Sequence, residues 1–413
     1  MKIIFTVTND LVYDRRMIRI GESLATEGYE VLLVGRKLID SQPFNNQWIK
    51  HKRFKLFFNK GKFFYLEYNL RLFFWLLFQR FDIVCGIDLD TILPCYLVSI
   101  LRGGKPCVYD AHELFTEVPE VVRRPMIRRI WLGVERFVVP KLKYCYTVSQ
   151  SVADEFNRRY NVKFEVIRNL PNRAPRPPKG GFAHAPSPPT PPKGMPLAKG
   201  GVRSSTITQA HQPTKGEFAN APLPITHYPL PIILYQGNLN EGRGLETAVE
   251  AMQYIENAEL WIAGDGDLGL ILRGMVKDLK LENKVKFLGY VQPKDLADIT
   301  QQAAIGLHIS EDKGLSYQYS LANKFLDYIQ AGVPQICTQF IEYQRLNDEF
   351  NVAILIDKTD RLLLVNALNL LLNDTVSYRT LQQNCIGAAA VLNWEIEEKK
   401  VIEFYRIICQ HID

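Results

Sequence analysis

The sequence predicts an α/β protein with two Rossmann-like domains, each a doubly wound parallel sheet, that face each other across a cleft. Short apolar strands alternate with amphipathic helices over residues 1–173, and the same alternation starts again at residue 232. A Pro/Gly-rich stretch separates the two series, and 413 residues are too many for one ordinary domain. We assign residues 232–390 to the second domain and residues 391–413 to a C-terminal helix that packs back on the first.

The first series opens with a strand at Lys2–Val7, a helix at Asp14–Glu27 and a strand at Glu30–Val34, which is typical of a parallel sheet. The loop before the helix contains no Gly, so the dinucleotide-binding fingerprint is absent, which weighs against an NAD(P)-dependent oxidoreductase. Later strands are followed by loops that carry Asp88 and Asp110-Ala111-His112-Glu113. Ligands collect at the carboxyl ends of parallel strands, so these loops are candidates for chemistry.

Residues 50–80 combine Lys and Arg with Phe, Tyr and Trp. The apolar run is too short and too charged to span a bilayer. Two interpretations stay open. The segment is either a core helix flanked by a basic loop, or an interfacial helix that rests on anionic lipid with its aromatic side chains buried. The second interpretation predicts an anionic membrane surface as a partner.

Residues 174–231 hold more than half of the chain's 23 Pro and a single acidic residue, Glu217. No run in this stretch is long enough to bury an apolar face, which predicts a disordered insertion between the domains. A tolerated insertion fits the composition better than a segment that binds a partner.

The composition also bounds the class of protein. A net charge of +6 is modest for this length and does not indicate a nucleic-acid partner. The seven Cys are scattered without metal-ligand spacing, which favours a reducing compartment and argues against a zinc site. The N-terminus has the pattern of a buried strand, not that of a signal peptide. We therefore predict a cytoplasmic protein, peripheral on the inner face of the cell membrane if residues 50–80 are interfacial.

The second series contains a candidate phosphate site. A helix opens at Ala322-Asn323-Lys324, where free backbone N–H groups and one Lys suit a phosphate. Asp327 follows one turn later, on the same face, where its carboxylate suits the two hydroxyls of a ribose. The predicted ligand is therefore a nucleoside diphosphate.

Several segments, in chain order, resemble a known family. In the second series they are GNLNEGRGLETAVEAM, WIAGDGD, VKFLGYV and SLANKFLDYIQAGVP, and the first series contributes TNDLVYDRRMIRIGESLATEGYEVLLVGR, VYDAHELFTEVPE and YTVSQSVADEFNRRYNVKFEVIRNLP. Outside residues 174–231 the chain is similar to the retaining GT-B glycosyltransferases of family 4. The resemblance implies a nucleoside diphosphate sugar as donor, the first domain on the acceptor side, and neither a cofactor nor a metal ion.

The resemblance also implies a diphosphate site at Gly237 and Arg243. The family usually has Lys at the position of Arg243, and a guanidinium binds a diphosphate with two parallel hydrogen bonds. A surface salt bridge is the alternative role of this Arg. Asn238 stands where the family has a second cation, so Lys324 is expected to supply that charge.

The family places two Glu eight positions apart, the second of which contacts the ribose. Asp327 falls on the second position and Tyr319 on the first, unless Asp327 is only a carboxylate on the helix surface. The loop before the helix is longer than usual, so three residues become candidates for contacts with phosphate or sugar: Ser316, Ser320 and Asn323. The remaining donor-binding candidates are Gly264, Gly266, Gly289 and Val291. They lie in turns where the donor could approach the backbone closely, and ordinary strand-to-helix turns are the alternative interpretation.

His112 matches the family's first-domain His that faces the transferred sugar. It would donate a hydrogen bond to a sugar hydroxyl or stabilise charge at the reacting carbon, and a satisfied buried His is the alternative. Asp88-Leu89-Asp90 resembles the metal-binding motif of the other glycosyltransferase fold, and we interpret it as a coincidence. The predicted catalytic residues are therefore His112, Arg243 and Lys324, with no metal ligand among them.

The predicted activity is transfer of a hexose, with retention of configuration, to an acceptor hydroxyl on a glycan or a lipid-linked molecule. Synthesis of a cell-envelope polysaccharide or an exopolysaccharide is the expected setting. Electrostatic stabilisation of the departing diphosphate would carry most of the rate. Two alternatives stay open: a nucleotide-sugar 2-epimerase, and a nucleotide-binding module without activity, to which Tyr319 and Asn238 point.

Overall fold

The computed structural model describes residues 1–173 and 230–412. The predicted insertion at 174–231 therefore lies outside the described residues, except for Leu230 and Pro231. Two sheets are present, and every strand pair in them is parallel. The alternation of strands and helices in the sequence predicted this α/β arrangement correctly.

Seven strands form the first sheet: β1 (Lys2–Asp10), β2 (Glu30–Lys37), β3 (Lys50–Lys55), β4 (Ile83–Ile87), β5 (Cys107–Ala111), β6 (Tyr144–Thr147) and β7 (Glu165–Val166). Their order across the sheet is β3-β2-β1-β4-β5-β6-β7. The helices between them are α1 (Arg15–Thr26), α2 (Gly61–Leu77), α3 (Leu89–Leu101), α4 (Pro119–Val122), α5 (Pro125–Val138) and α6 (Gln150–Tyr160). Short 3₁₀ turns lie at Leu11–Tyr13, Phe115–Glu117 and Val139–Lys141.

Six strands form the second sheet: β8 (Ile232–Gln236), β9 (Glu259–Ala263), β10 (Val285–Gly289), β11 (Ile305–His308), β12 (Gln335–Thr338) and β13 (Ala353–Ile356). Their order is β10-β9-β8-β11-β12-β13. The helices are α7 (Leu245–Ala251), α8 (Gly269–Asp278), α9 (Pro293–Gln302), α10 (Leu315–Gln318), α11 (Asn323–Gln330), α12 (Ile341–Phe350), α13 (Arg361–Asn373), α14 (Thr375–Ala389) and α15 (Trp394–Gln410). A 3₁₀ turn lies at Met252–Tyr254.

Adjacent residues of β1 belong to different cores, because side chains alternate across a strand. Ile4 packs in a cluster with α2, α3, α5 and α6, whereas Ile3 and Phe5 pack in a second cluster with α1 and α15. Strands β4 and β5 are buried at every position, as expected when helices cover both faces of a parallel sheet. The loops at the strand ends are therefore the part of the sheet that remains available to a ligand.

The basic run Lys50–Lys55 is a strand, where the sequence predicted a loop. It pairs in parallel with β2 at the edge of the first sheet, with Phe54 buried and Lys50, His51 and Lys52 exposed. Charged residues are typical of edge strands because they oppose pairing with another chain. The predictions also missed the second sheet's last strand, β13, and the helices α12 and α14.

Helix α2 has two different faces. One face packs in the core of the first domain through Phe64, Tyr68, Leu72 and Leu76. The other leaves a row of apolar side chains in solvent: Phe63, Leu66, Leu70 and Phe74. The core-helix interpretation therefore describes the first face only, and the role of the exposed face stays a prediction.

The last helix returns to the first domain. The Trp394 indole N–H donates to the Ser23 hydroxyl of α1 at 2.9 Å, and the Trp394 backbone N–H donates to the Pro171 carbonyl oxygen at 2.9 Å. The ring of Tyr405 packs edge-on against Phe5 of β1, with centroids 5.8 Å apart. Helix α15 thus belongs to the core of the first sheet, although it follows the second domain in the chain.

Candidate active site

The loops that follow the carboxyl ends of the strands in the two sheets contact each other. The Ser149 hydroxyl, after β6, donates to the Tyr319 carbonyl oxygen at 2.9 Å. The Asn169 amide, after β7, donates to the Asn323 side-chain oxygen at 2.8 Å. Ligands of open α/β sheets bind at these strand ends, so the candidate site lies where the two domains face each other.

Two cations of the second domain lie in this cleft. The Lys324 ammonium lies 3.8 Å from the centroid of the Tyr235 ring, and the Arg243 guanidinium lies 4.9 Å from the centroid of the Tyr317 ring. Within residues 1–173 and 230–412, neither cation forms an ion pair, and Arg243 Nε has no hydrogen-bond partner. Burial and the neighbouring Arg243 charge hold the pKa of Lys324 well below its usual value, against the attraction of Asp327. Both groups would be stabilised by an anion.

Gly237 makes room for Lys324. A Cβ atom on Gly237 would lie 3.1 Å from the Lys324 ammonium nitrogen, and the φ angle of 131° is one that L side chains rarely adopt. Glycine is needed at positions 264 and 266 for a different reason. A Cβ atom on Gly264 would lie 1.9 Å from the Gly237 carbonyl oxygen, and one on Gly266 would lie 2.7 Å from the Leu239 carbonyl oxygen. These glycines let the loops after β8 and β9 pack together.

Two further candidates lie at the end of β10, beside those loops: Gly289 is its last residue and Val291 follows it. Gly289 has a φ angle of 67° and accepts the backbone hydrogen of Gly264 at 2.8 Å. Val291 is half-buried and packs with Leu288 against the apolar cluster of Leu234 and Ala263. The four predicted turn residues and Gly237 are therefore brought to one side of the cleft.

Asp327 of α11 faces the end of β8. It accepts a hydrogen bond from the Gln236 side-chain amide at 3.1 Å. Burial raises the pKa of the Asp327 carboxyl to about 6, and the charges of Arg15 and Arg19 on α1 oppose the rise. The carboxylate therefore lies between the end of β8 and two cations of the first domain.

The loop before α11, which the sequence predicts to contact phosphate or sugar, forms hydrogen bonds and apolar contacts with other protein residues. The Ser320 hydroxyl donates to the Tyr317 carbonyl oxygen at 2.8 Å and lies 3.1 Å from the Tyr343 hydroxyl, which accepts the Ala322 backbone hydrogen at 3.0 Å. Ser316 is buried in α10. The Tyr319 ring packs against the apolar cluster of the first domain, together with Leu315. In this arrangement the position of the family's first Glu joins the two domains.

His112 lies in a network of charged groups at the end of β5. Its backbone N–H donates to an Asp88 carboxylate oxygen at 2.8 Å, and its ring nitrogens lie 3.7 Å from Asp88 and 3.3 Å from Asp110. Arg16 pairs with Asp110 at 3.1 Å and also lies 3.1 Å from the His112 Nε2 atom, where a neutral ring would accept its hydrogen. Burial lowers the pKa of His112, but the two carboxylates outweigh burial and Arg16 and raise it to about 9. The charged ring, with Nε2–H donating to Asp110, is therefore favoured.

Both carboxylates of the Asp88-Leu89-Asp90 motif have protein partners. Asp88 holds His112, and Asp90 accepts the Thr8 hydroxyl hydrogen at 2.6 Å. Burial raises the pKa of each carboxyl to about 7. Across the described ranges, no group of three or more His, Cys, Asp or Glu side chains is arranged to hold a metal ion.

The sequence predictions missed three arginines of the site, Arg15, Arg16 and Arg19. The Arg19 guanidinium donates to the Leu170 carbonyl and the Asn169 side chain, and stacks 5.5 Å from the Trp394 ring centroid. The signal was present in the segment TNDLVYDRRMIRI, where Asp14 caps α1 by accepting from the Met17 backbone N–H at 3.1 Å. An Asp cap marks the start of a helix, and a helix that starts just after a strand lies at the strand end where ligands of α/β sheets bind.

Two family models match the chain, one in each domain. Residues 14–172 match the model described as Glycosyltransferase Family 4, and residues 230–374 match the model described as Glycosyl transferases group 1. Together the two matches span well over half of the chain. The chain therefore belongs to the GT-B glycosyltransferases that combine these two domains, as its sequence resemblance predicted.

Solved structures show the same fold. Sucrose-phosphate synthase from Thermosynechococcus elongatus is 17% identical to this chain. The match covers 100% of each chain and has a TM-score of 0.74. HepE of Anabaena, in complex with UDP, is 14% identical over 98% of this chain and 100% of its own, with a TM-score of 0.68. WaaG, a glycosyltransferase involved in lipopolysaccharide biosynthesis, is 14% identical over 97% and 98%, with a TM-score of 0.66. No curated protein sequence matches the chain.

Proposed function

We propose that this glycosyltransferase transfers a hexose from a nucleoside diphosphate sugar to an acceptor hydroxyl, with retention of configuration. The observation that carries the proposal is the position of two cations beside the first turn of α11, Lys324 and Arg243, which form no ion pair with any residue that the structure describes. HepE, which shares the fold, is recorded in complex with UDP and with UDP-glucose, so a uridine diphosphate sugar is the first donor to test.

The diphosphate would lie between Lys324, Arg243 and the start of α11. The Ala322 N–H already donates to Tyr343, but the next amides, of Asn323 and Lys324, have no acceptor within the helix. Positive groups fixed around a leaving diphosphate stabilise the charge that develops on it, without help from a metal ion. Lys324 would then regain its full charge, because a bound anion raises the pKa that burial has lowered.

Asp327 would accept hydrogen bonds from the ribose hydroxyls, since its carboxylate has one bond from Gln236 and further acceptor capacity. His112, held charged by Asp88 and Asp110, would donate to a hydroxyl of the transferred sugar. The acceptor hydroxyl would attack from the face that the diphosphate leaves. No protein nucleophile is needed in this proposal.

A panel of nucleotide sugars tests the proposal. The protein should bind UDP and slowly hydrolyse one of the nucleotide sugars without an acceptor, and that activity should persist in EDTA. Binding of no nucleoside diphosphate at millimolar concentration would contradict the proposal. Binding without turnover of any sugar, with or without acceptors, would favour a nucleotide-binding module.

We further propose that the acceptor is a glycan or a lipid-linked molecule at an anionic membrane, in the synthesis of a cell-envelope polysaccharide or an exopolysaccharide. The exposed apolar face of α2 (Phe63, Leu66, Leu70 and Phe74) supports this proposal, with Phe57 and Phe58 exposed just before the helix. In the described ranges, no helix combines the length and apolarity needed to cross a membrane. Contact would therefore be peripheral, at the inner face of the membrane.

The cations near α2 are not equivalent. Lys52 and Lys55 are exposed at the sheet edge. Arg53 is not available to lipid, because it donates to the Gln42 carbonyl at 2.9 Å, pairs with Asp10 at 3.4 Å and is only 9% exposed. Lys50 pairs with Glu30 at 3.1 Å. Tests of membrane contact should therefore leave Arg53 intact.

One observation favours a second function, a nucleotide-sugar 2-epimerase. An epimerase needs proton-transfer groups together, and His112 lies beside Asp88, Asp110 and Glu113. Burial raises the pKa of Glu113 to about 7, against the charges of His112 and Arg243. Conversion of a nucleotide sugar to its 2-epimer without an acceptor would reveal this activity. A product that retains the donor's configuration on an acceptor would exclude it as the main reaction.

A further inference from the structure

A groove on the first domain lies outside the donor site. It runs along α5, has a volume of about 510 Å³, and is lined by residues that include Val122, Arg128, Arg129, Leu132, Gly133 and Arg136. Residues four and seven positions apart share a helix face, so the three arginines flank one strip of the surface.

The groove carries uncompensated positive charge. Arg129 and Arg136 are exposed, and neither pairs with a carboxylate of the described residues. Arg128 is fixed, because it donates to Glu117 at 2.9 Å and to the Thr116 carbonyl at 3.0 Å. The one acidic residue of α5, Glu135, is buried and accepts hydrogen bonds from the Thr116 and Tyr160 hydroxyls. An anion in the groove would therefore meet two free guanidinium groups.

Gly133 forms the floor of the groove. Gly in the middle of an exposed helix is unfavourable compared with Ala. No atom lies within 4 Å of the place that a Cβ atom would take, so packing does not explain this Gly. The missing side chain leaves the strip between Arg129 and Arg136 open.

An apolar stripe lies beside the groove on the same helix. Met126, Ile130 and Phe137 are exposed by 75%, 64% and 46%. The Phe137 ring packs against Tyr96 of α3, where Ile100 and Leu101 extend the exposed apolar surface. A cationic groove beside an apolar stripe fits a molecule with an anionic head and an apolar chain.

One end of the groove lies at the cleft. Arg123, next to Val122, donates to Glu241 at 3.2 Å, and Glu241 belongs to the loop that carries Arg243. From there α5 extends for about 20 Å at 1.5 Å per residue. A molecule held along the groove would therefore present one end near the donor.

We propose that the α5 groove binds the phosphate or diphosphate of a lipid-linked acceptor, between Arg129 and Arg136, with its lipid chain on Met126 and Ile130. Guanidinium groups bind phosphate oxygens with pairs of parallel hydrogen bonds, which suits this arrangement. The inference rests on the proposed function, since it names the acceptor class for the same cleft. The acceptor's sugar hydroxyl would reach the donor past Val122.

Binding of dodecyl diphosphate to the full chain tests the inference by calorimetry without any donor. Arg129→Ala or Arg136→Ala should weaken binding about tenfold, as expected for loss of a charge-assisted contact. Gly133→Leu should weaken it as well, because it fills the groove without changing charge. The matched controls are Arg379→Ala and Gly274→Leu in the second domain, and Gly274, like Gly133, has no atom within 4 Å of the added Cβ. Equal binding by all variants would overturn the inference.

Two further ligands distinguish the sources of phosphate. Inorganic diphosphate should bind much more weakly than dodecyl diphosphate, and equal affinity would overturn the lipid-linked part. Vesicles of phosphatidylglycerol should bind the groove variants nearly as well as the wild type. A loss of vesicle binding as large as the loss of dodecyl diphosphate binding would assign the groove to bulk lipid headgroups. UDP binding without dodecyl diphosphate binding would overturn this inference alone, and the reverse would overturn the proposed donor site.

Discussion

The Ser149 hydroxyl donates its hydrogen to the Tyr319 carbonyl oxygen at 2.9 Å and thereby joins the two domains beside the proposed donor site. Ser149 also caps α6, because its side chain accepts from the Val152 backbone N–H. Close by, Glu342 of α12 accepts from the Ser151 backbone N–H at 2.8 Å and is 2% exposed. The loop before α11 is thus held by the first domain as well as by its own.

Replacement of Tyr319 by the family's Glu should not restore a lost catalytic group. Because the ring packs against apolar residues of the first domain, Tyr319→Glu places a carboxylate there and should cost about 1–3 kcal/mol of stability. We expect a lower melting temperature and no gain in donor turnover, whereas Tyr319→Phe should behave like the wild type. A Tyr319→Glu protein with faster turnover would show that this position faces the donor.

Arg243→Ala should lower kcat and kcat/KM together. A fixed cation that acts on a leaving group is worth about 3 kcal/mol in the transition state, roughly a hundredfold in rate. Arg243→Lys should retain part of the activity, since the charge remains and the bidentate geometry is lost. Steady-state kinetics with the preferred donor would measure both. The side chain is half-buried against Tyr317 and not free in a solvent-facing loop, so circular dichroism must show that each variant is folded. A folded Arg243→Ala protein with normal turnover would place the diphosphate elsewhere.

Asp327→Asn should weaken UDP binding through the ribose. Loss of a charged acceptor for one or two hydroxyls typically costs about 1.5–3 kcal/mol, roughly tenfold to a hundredfold in affinity. The same change should leave the affinity for 2′,3′-dideoxy-UDP nearly unchanged, because that ligand has no hydroxyl to donate. Calorimetry with both ligands tests the contact, and Asp278→Asn on the exposed end of α8 is the control. An equal loss for both ligands would indicate that Asp327 does not contact the ribose.

The charged ring of His112 should make stability depend on pH. Its pKa in the folded protein, about 9, lies above the ordinary value of about 6.5. The contribution is therefore complete below about pH 6.5 and is lost as pH rises through about 9, with a total of about 3 kcal/mol. The melting temperatures of wild type and His112→Gln should converge over this range. His51→Gln is the control, because burial and the Arg53 charge lower the pKa of His51, whereas the pKa of His112 is raised. A constant difference would contradict the charged ring.

The exposed face of α2 should hold the protein on acidic vesicles. Replacing Leu66, Leu70 and Phe74 by Ser removes apolar area worth about 1.5–3 kcal/mol for each fully buried side chain. Sedimentation with vesicles should show release of this variant. Leu270→Ser with Ile271→Ser, which are exposed by 85% and 56% on α8, provides the control. Lys52→Gln and Lys55→Gln should each weaken binding by about 1 kcal/mol, the value of one cation near an anionic surface. Unchanged sedimentation of the α2 variant would exclude this face as the membrane contact.

Local signals explain what the sequence predicted. The strands were predictable because they are apolar runs. Arg243 and Lys324 were predictable as neighbours because they follow β8 and β11, which are adjacent in the second sheet. The His112 network does not follow, because Arg16 and Asp110 are 94 residues apart and no local pattern joins them. The strand at Lys50–Lys55 was not predicted, because an edge strand can be as highly charged as a loop. Likewise, the contact between Ser149 and Tyr319 could not be predicted, because the two residues are 170 positions apart and meet only when the two domains pack together.

The return of α15 to the first sheet has a consequence for synthesis. The core around Ile3 and Phe5 also contains Trp394, Val401 and Tyr405. A nascent chain that has emerged only through the first domain exposes this apolar surface until α15 has emerged as well. The N-terminal domain therefore cannot finish folding on the ribosome ahead of the C-terminal one, and a stop codon before residue 394 would damage the half of the protein made first.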